Sequence, residues 1–293
     1  MIKIAIVIPT FNRQELLKNT LLQINEQISE LSDYKFIIIV VVDGSTDGTL
    51  DMLGNYFSHV HIVIGTGEWW YTKSMNEGFK FAVRFNPDYL LALNDDVILS
   101  DHYLQNLIQA ATRVEENSIV GSLSYISSRP PVIFFAGIKK INKITFKMYP
   151  YLRKNDEIDI KQLSGIKQSA VLPGRGMLIP FQVLTETGFF DEIFPQYGSD
   201  YDFVLRAIKK GFKAFVSYDA KIISMPEYTG KGDPFNKPSF LSFIHNFLFN
   251  KYSPTYYIRT VKFVYRHSGR LSYPVAMFYQ FFGTLYTYLK YSK

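Results

Sequence analysis

Between Ile4 and Val114 the chain alternates four times between short, mostly apolar runs and segments with helical spacing, and no other feature restricts its fold as much. Ile4 to Ile8 carries no polar residue and stops at Pro9, and Phe36 to Val42, Val60 to Ile64 and Tyr89 to Leu93 are similar runs. Uninterrupted apolar runs belong to strands buried on both faces, which means a parallel sheet covered by helices. Leu17, Leu21, Ile24, Ile28 and Leu31 step by three and four along one helical face, and further helices are expected near Ser74 to Phe85 and Tyr103 to Val114. The expected class is α/β: a Rossmann-like, mostly parallel sheet with helices on both faces. From Tyr125 to Ala170 the periodicity breaks down, which predicts strands and loops walling one side of a site. Phe181 to Gly211 returns to helix and turn.

Ligands of such sheets sit at the carboxyl ends of the strands. The polar residues gather there: Pro9, Thr10, Phe11, Asn12 and Arg13 after the first strand, Asp43 after the second, and Asn94, Asp95 and Asp96 after the fourth. The usual nucleotide signatures fail. There is no GxxxxGK[ST] loop, and Gly65-Thr66-Gly67 lacks the third glycine of a dinucleotide fold. The five histidines have no metal-site spacing, and the absence of cysteine excludes disulfides and thiol nucleophiles and fits a reducing compartment.

Each acidic candidate has a plain reading beside a chemical one. Adjacent Asp95 and Asp96 suit a hard divalent cation that also binds phosphate oxygens, and they equally suit a polar turn. Asp43 in VVVDGSTDGT reads as a turn residue or as the acceptor for a pyrimidine imide N–H. Ser199 and Asp202 have the spacing of a capping box, which leaves Asp200 as a candidate general base.

Charge is divided unevenly. Of the chain's net +6, residues 231–293 carry +8, from nine Lys/Arg against Asp233 alone. The same segment holds 18 of the 48 aromatic residues. The expected layout is a body over 1–230 and a helical, basic, aromatic extension over 231–293 that meets an anionic surface with an apolar layer. Leu271 to Leu289 is free of charge but rich in Tyr, Ser, Thr and Gln, which favours the headgroup interface over a span. Nucleic acid is disfavoured as a partner, because the body has no positive excess. MIKIAIVIPTFN reads as a buried strand rather than a secretory leader.

Together IAIVIPTFNR, VVVDGSTDGT, the asparagine and glycine of SMNEGF, LALNDDVIL, LPGRGMLIP and GFFDEIFPQYGSDYDFVLRAIKKGF resemble the family 2 glycosyltransferases, which have the GT-A fold. The match runs from Ile4 to about Ser224, and the Asn-Asp-Asp motif with Trp69-Trp70 looks most like bacterial rhamnosyltransferases of cell-surface polysaccharide. The resemblance implies that Pro9, Thr10, Phe11, Asn12 and Arg13 lie along a nucleotide and that Asp43 holds uracil or thymine. It implies that Asn94 and Asp95 face the donor, that Asp96 is the carboxylate on the side of a Mg²⁺ or Mn²⁺ ion, and that Asp200 is the base. Two departures from the family pattern imply an ion held weakly, mostly by diphosphate and water. Asn94 opens the acidic motif, and no histidine stands near Ser224.

The expected activity is inverting transfer of a sugar from a UDP- or dTDP-sugar, such as dTDP-rhamnose, to a saccharide or lipid-linked saccharide hydroxyl. The expected location is the cytoplasmic side of the cell membrane, held peripherally on anionic lipid. A sugar nucleotidyltransferase is a second reading, opposed by the lack of glycine in PTFNRQE. A third is a degenerate scaffold that binds polysaccharide or membrane.

Overall fold

The computed structural model describes residues 1–128, 131–153, 156, 158–225 and 239–290. The first half runs β1 (Ile2–Thr10), α1 (Gln14–Ser29), β2 (Tyr34–Val42), α2 (Thr49–Tyr56), β3 (His61–Ile64), α3 (Trp70–Val83), β4 (Tyr89–Ala92), β5 (Val97–Leu99) and α4 (Tyr103–Arg113). There follow β6 (Ile119–Ile126), β7 (Val132–Phe135), β8 (Ile138–Ile141), β9 (Met148–Pro150), β10 (Ile166–Gln168), β11 (Met177–Pro180), α5 (Phe181–Thr187), α6 (Ser199–Lys209) and β12 (Ala214–Ser224). Three helices close the chain: α7 (Phe240–Leu248), α8 (Tyr257–His267) and α9 (Tyr273–Lys290).

The main sheet has the order β10-β12-β6-β11-β4-β1-β2-β3, with β5 paired to β12 and β7 to β6; β8 and β9 form a separate hairpin. β4, β1, β2 and β3 are mutually parallel, as are β6 and β12. β11 runs antiparallel to both β4 and β6 and joins the two parallel groups.

The apolar runs are buried on both faces because alternate residues serve opposite layers. In β1, Ile4, Ile6 and Ile8 pack with Leu17, Leu21, Leu53, Leu104 and Leu107 of α1, α2 and α4. Ala5 and Val7 face the other way, toward Met75 and Phe79 of α3 in the core that also takes in Val183 of α5 and Phe203 of α6. Gly78 sets how closely α3 approaches the sheet. A Cβ there would stand 2.3 Å from Val7 Cγ1 and 2.9 Å from Val41 Cγ2. Asn76 of the same helix is buried, with Nδ2 donating to the Phe190 carbonyl (2.9 Å) and Oδ1 accepting from the Phe190 amide (3.0 Å). The SMNEGF motif therefore packs the helix and pins the loop before α6.

The capping box is not formed. Gly198 (φ 92°) starts α6, so Ser199 is already helical and its hydroxyl accepts from Thr72 Oγ1 at 2.7 Å. Asp202, fully buried, accepts from Arg206 Nε (2.7 Å), Arg266 Nη1 (2.9 Å) and His267 Nε2 (2.8 Å). Burial alone would raise its pKa, and these three donors instead hold it at about 2. Two of them belong to α8, so Asp202 fastens the C-terminal helices to the body. Arg266 also pairs with Asp191 at 2.6 Å, and Gln280 of α9 reaches the carbonyls of Thr145 and Phe146 at 3.3 Å. The boundary expected at residue 230 lies outside the described residues.

Candidate functional site

A cavity of about 880 Å³ opens at the carboxyl ends of β1, β2 and β4. Pro9, Thr10, Phe11, Arg13, Asp43, Asn94, Asp95, Asp96 and Asp200 all line it. Of the residues expected at the site, Asn12 alone is absent from that wall. It sits at φ 51° with its side-chain oxygen accepting from the Thr46 amide (2.8 Å) while its own amide donates to Ser45 Oγ (2.9 Å). Asn12 thus ties the first strand's loop to the second's.

Asp43 is buried and serves the backbone. Oδ1 accepts from Gly67 N (2.8 Å), and Oδ2 accepts from Trp69 N (2.9 Å) and Trp70 N (3.1 Å). These bonds hold Trp70 in the left-handed region (φ 56°), uncommon for a bulky residue. Trp70 is 41% exposed, and its ring stacks on Tyr252 from the C-terminal segment at 3.8 Å and 12°. Trp70 is a wall of the cavity, whereas Trp69 packs against the core.

The acidic pair is matched by arginines. Arg13 Nη1 donates to Asp95 Oδ1 at 2.9 Å and reaches Asp96 Oδ2 at 3.5 Å. Arg175 Nη2 lies 3.2 Å from Asp96 Oδ1 and 3.4 Å from Oδ2. Asp95 and Asp96 are almost wholly buried. Burial raises the Asp95 pKa to about 6, with Arg13 pulling it down and Asp96 pushing it up. Among the described residues Asn94 Oδ1 is a buried acceptor without a hydrogen-bond donor, and Asp95 Oδ2 is buried with only the Thr10 hydroxyl, besides Arg13, bearing on that carboxylate as a donor. Together with Asp96 they form an all-oxygen set of the kind a hard divalent cation takes, so these residues fit a Mg²⁺ or Mn²⁺ ion completed by phosphate oxygens and water. Among the described residues no three His, Asp or Glu side chains gather to hold a metal by themselves.

Asp200 lines the cavity from the first turn of α6. Its Oδ2 accepts from the Gly174 amide (2.9 Å) and its Oδ1 from the Tyr201 amide (2.8 Å). Gly174 is required by packing, because a Cβ there would fall 1.8 Å from Tyr71 Oη. Tyr71 is half-buried with its hydroxyl enclosed near the carboxylate, and desolvation together with Asp200 pushes its pKa well above the usual value.

Sequence reasoning missed part of this site. Arg175 carries a signal, a lone cation inside LPGRGMLIP, but its partner Asp96 is 79 residues away. Arg259, Phe263, Tyr279 and Gln280 also line the cavity, so α8 and α9 form part of its wall. The composition of that segment allows helices packed on the body as well as a membrane face, but it does not say which residues would reach the cavity.

Three solved structures illustrate the resemblance. GalNAc-T7, crystallised with UDP, GalNAc and Mn²⁺, superposes with a TM-score of 0.58 at 12% identity, over 76% of this chain and 44% of that one. Residues 1–349 of S. aureus TarS give a TM-score of 0.49 at 15% identity over 77% and 61% of the two chains. The complex of that fragment with UDP gives 0.49 at 16% identity over 75% and 59%. This chain spans less than two thirds of each of these proteins. No curated protein matches the sequence. The sheet with helices on both faces is the GT-A arrangement that GalNAc-T7 shares. The family model described as "Glycosyl transferase family 2" matches residues 5–172, from the first buried strand through the acidic pair to the threshold of the Gly174–Arg175 loop, and the chain belongs to that family.

Proposed function

We propose that the protein transfers a sugar from a nucleoside-diphosphate donor to a hydroxyl of a saccharide or lipid-linked saccharide, with inversion in one displacement. The observation that carries this reading is that Asp200 lines the same cavity as Asp95, Asp96, Arg13 and Arg175, so that one further carboxylate shares the cavity with two arginines and the acidic pair. The acceptor hydroxyl gives its proton to Asp200 as its oxygen bonds the anomeric carbon, and the bond from that carbon to the diphosphate oxygen breaks. The Gly174 and Tyr201 amides orient the base. Arg13 and Arg175 face the charge that grows on the leaving diphosphate. A divalent cation beside Asp96, Asp95 and Asn94 would neutralise part of that charge. Asp43 shapes the nucleotide end through the loop it holds. A uracil or thymine base suits that position, and dTDP-rhamnose is one donor of this kind.

The C-terminal helices suit an acceptor presented on anionic lipid. Val275, Phe278, Phe282, Tyr286 and Leu289 form an exposed stripe along α9, and Leu271 in the turn before it is exposed as well. The described residues from 239 to 290 contain no acid, and Lys251, Lys262 and Arg270 are exposed among them. No helix among the described residues is long and apolar enough to cross a membrane, so peripheral binding is the mode the chain supports. Asp200→Asn tests the chemistry: it should abolish transfer and donor hydrolysis while nucleotide affinity stays within about threefold. Turnover close to wild type would remove Asp200 from the reaction.

A further inference from the structure

Arg259 of α8 stands in the cavity wall with Asp200. Its guanidinium lies 5.7 Å from the centre of the Tyr197 ring and donates to the carbonyls of Ser253 (3.4 Å) and Pro254. Arg13 and Arg175, the other arginines of the cavity, each meet a carboxylate. Arg259 meets none at ion-pair distance among the described residues. Two neutral carbonyls fix its direction without balancing its charge. A partly buried cation with no carboxylate at ion-pair distance among the described residues is costly, and the cost falls when a ligand brings an anion. Burial lowers the pKa of this guanidinium, and Tyr197 and Asp200 offset that only in part. The side chain also packs at the start of α6, two residues before the base: a Cβ on Gly198 would lie 3.9 Å from Arg259 Cδ.

We infer that Arg259 binds a phosphate group of a substrate, so that the C-terminal helices supply part of the reacting centre rather than only a surface contact. The inference rests on the glycosyl-transfer reading above. Phosphate is the shared chemistry of two sources, the donor diphosphate and the phosphate of a lipid-linked acceptor. A planar guanidinium suits either, since it offers paired N–H donors to two oxygens of one group.

The test uses the full chain and its Arg259→Gln and Arg259→Lys variants, titrated calorimetrically with UDP, dTDP and decyl phosphate, and with uridine as a probe without phosphate. Gln should weaken either the nucleoside diphosphates or decyl phosphate at least tenfold and leave uridine unchanged, and Lys should keep most of the affinity. Loss with the nucleotides assigns Arg259 to the donor, and loss with decyl phosphate assigns it to the acceptor. Unchanged affinity for both in the Gln variant overturns the inference. Wild-type protein that binds no nucleoside diphosphate overturns the donor reading by itself and leaves Arg259 to be judged on decyl phosphate. Binding of neither probe overturns both. If the Gln variant does not fold, phenylglyoxal labelling of the wild type decides. Pyrophosphate or decyl phosphate should protect the Arg259 peptide several-fold, and equal labelling with and without them overturns the inference.

Discussion

Replacing Asp202 with asparagine keeps the shape of a fully buried side chain and removes the charge that joins α6 to α8. The gap between the usual aspartate value of 3.8 and about 2 measures how much the fold prefers the ionised form. At about 1.4 kcal/mol per tenfold, this gap corresponds to roughly 2–3 kcal/mol. Arg206 retains the carbonyls of Thr187 and Phe189, and Arg266 retains Asp191, so the cations are not stranded. His267 loses its carboxylate while wholly buried, which adds to the cost. The expected destabilisation at pH 7 is therefore about 2–4 kcal/mol, measured by urea unfolding. Because the folded pKa is depressed, this stabilisation is complete above about pH 4 and disappears as pH falls toward 2. The gap between wild type and Asp202→Asn should accordingly shrink, by about half at pH 3. Hydrogen exchange should locate the loss: amides of α8 and α9 exchange faster in the variant, while those of β2 do not. A cost under about 0.5 kcal/mol, or a gap that does not change with pH, would refute the assignment of Asp202 as the anchor.

Three further outcomes are expected. Asp43→Ala leaves three backbone amides without their acceptor and should weaken UDP or dTDP binding by about 1–3 kcal/mol in calorimetry; unchanged affinity for both removes the Gly65–Trp70 loop from the nucleotide site. Arg175→Met leaves Asp96 buried without its nearest cation and should cost about 3 kcal/mol. Mn²⁺ should raise the melting temperature of that variant more than that of the wild type, and equal shifts would show that guanidinium and ion do not compete for Asp96. Phe278→Ser with Phe282→Ser should reduce flotation with anionic vesicles at least tenfold without affecting folding, since both rings are exposed. Flotation at wild-type levels would move the lipid contact off α9. These point changes test the membrane reading more cleanly than truncation, which would strip Arg266 and His267 from Asp202.

The sheet was legible because its strands lie inside it. A run such as Phe-Ile-Ile-Ile-Val-Val-Val is apolar at every position only when both faces are covered, and β2 is buried from Ile37 to Val42. The polar rim was legible for the same reason, since polar side chains at the ends of such strands stand out. What failed had distant causes. Ser199 and Asp202 show the spacing of a cap, yet the left-handed Gly198 starts the helix one residue earlier, and α8, some sixty residues on, decides the carboxylate's partners. Aromatic richness in the tail pointed to lipid, yet the same rings also fill an interior. Phe243 stacks on Tyr288 at 4.0 Å and Phe263 meets Phe146 at 5.7 Å, while Phe278 and Phe282 stay outside. Composition cannot divide these roles, because hydrophobic burial is non-directional.

The short strand β11 has a consequence for assembly. Its four buried residues are the seam at which the β1–β4 group meets the β6–β12 group, and Gly174 and Arg175 immediately precede it. The groups that hold Asp200 and neutralise Asp96 therefore come into position only when the late half of the polypeptide has docked on the early half. A ribosome-bound chain ending before Met177 can complete the β1–β3 layer, yet it has no seam strand to set the Gly174–Arg175 loop against the acidic pair. The part of the cavity wall formed by Gly174, Arg175 and Asp200 would then be among the last parts of the cavity completed during synthesis.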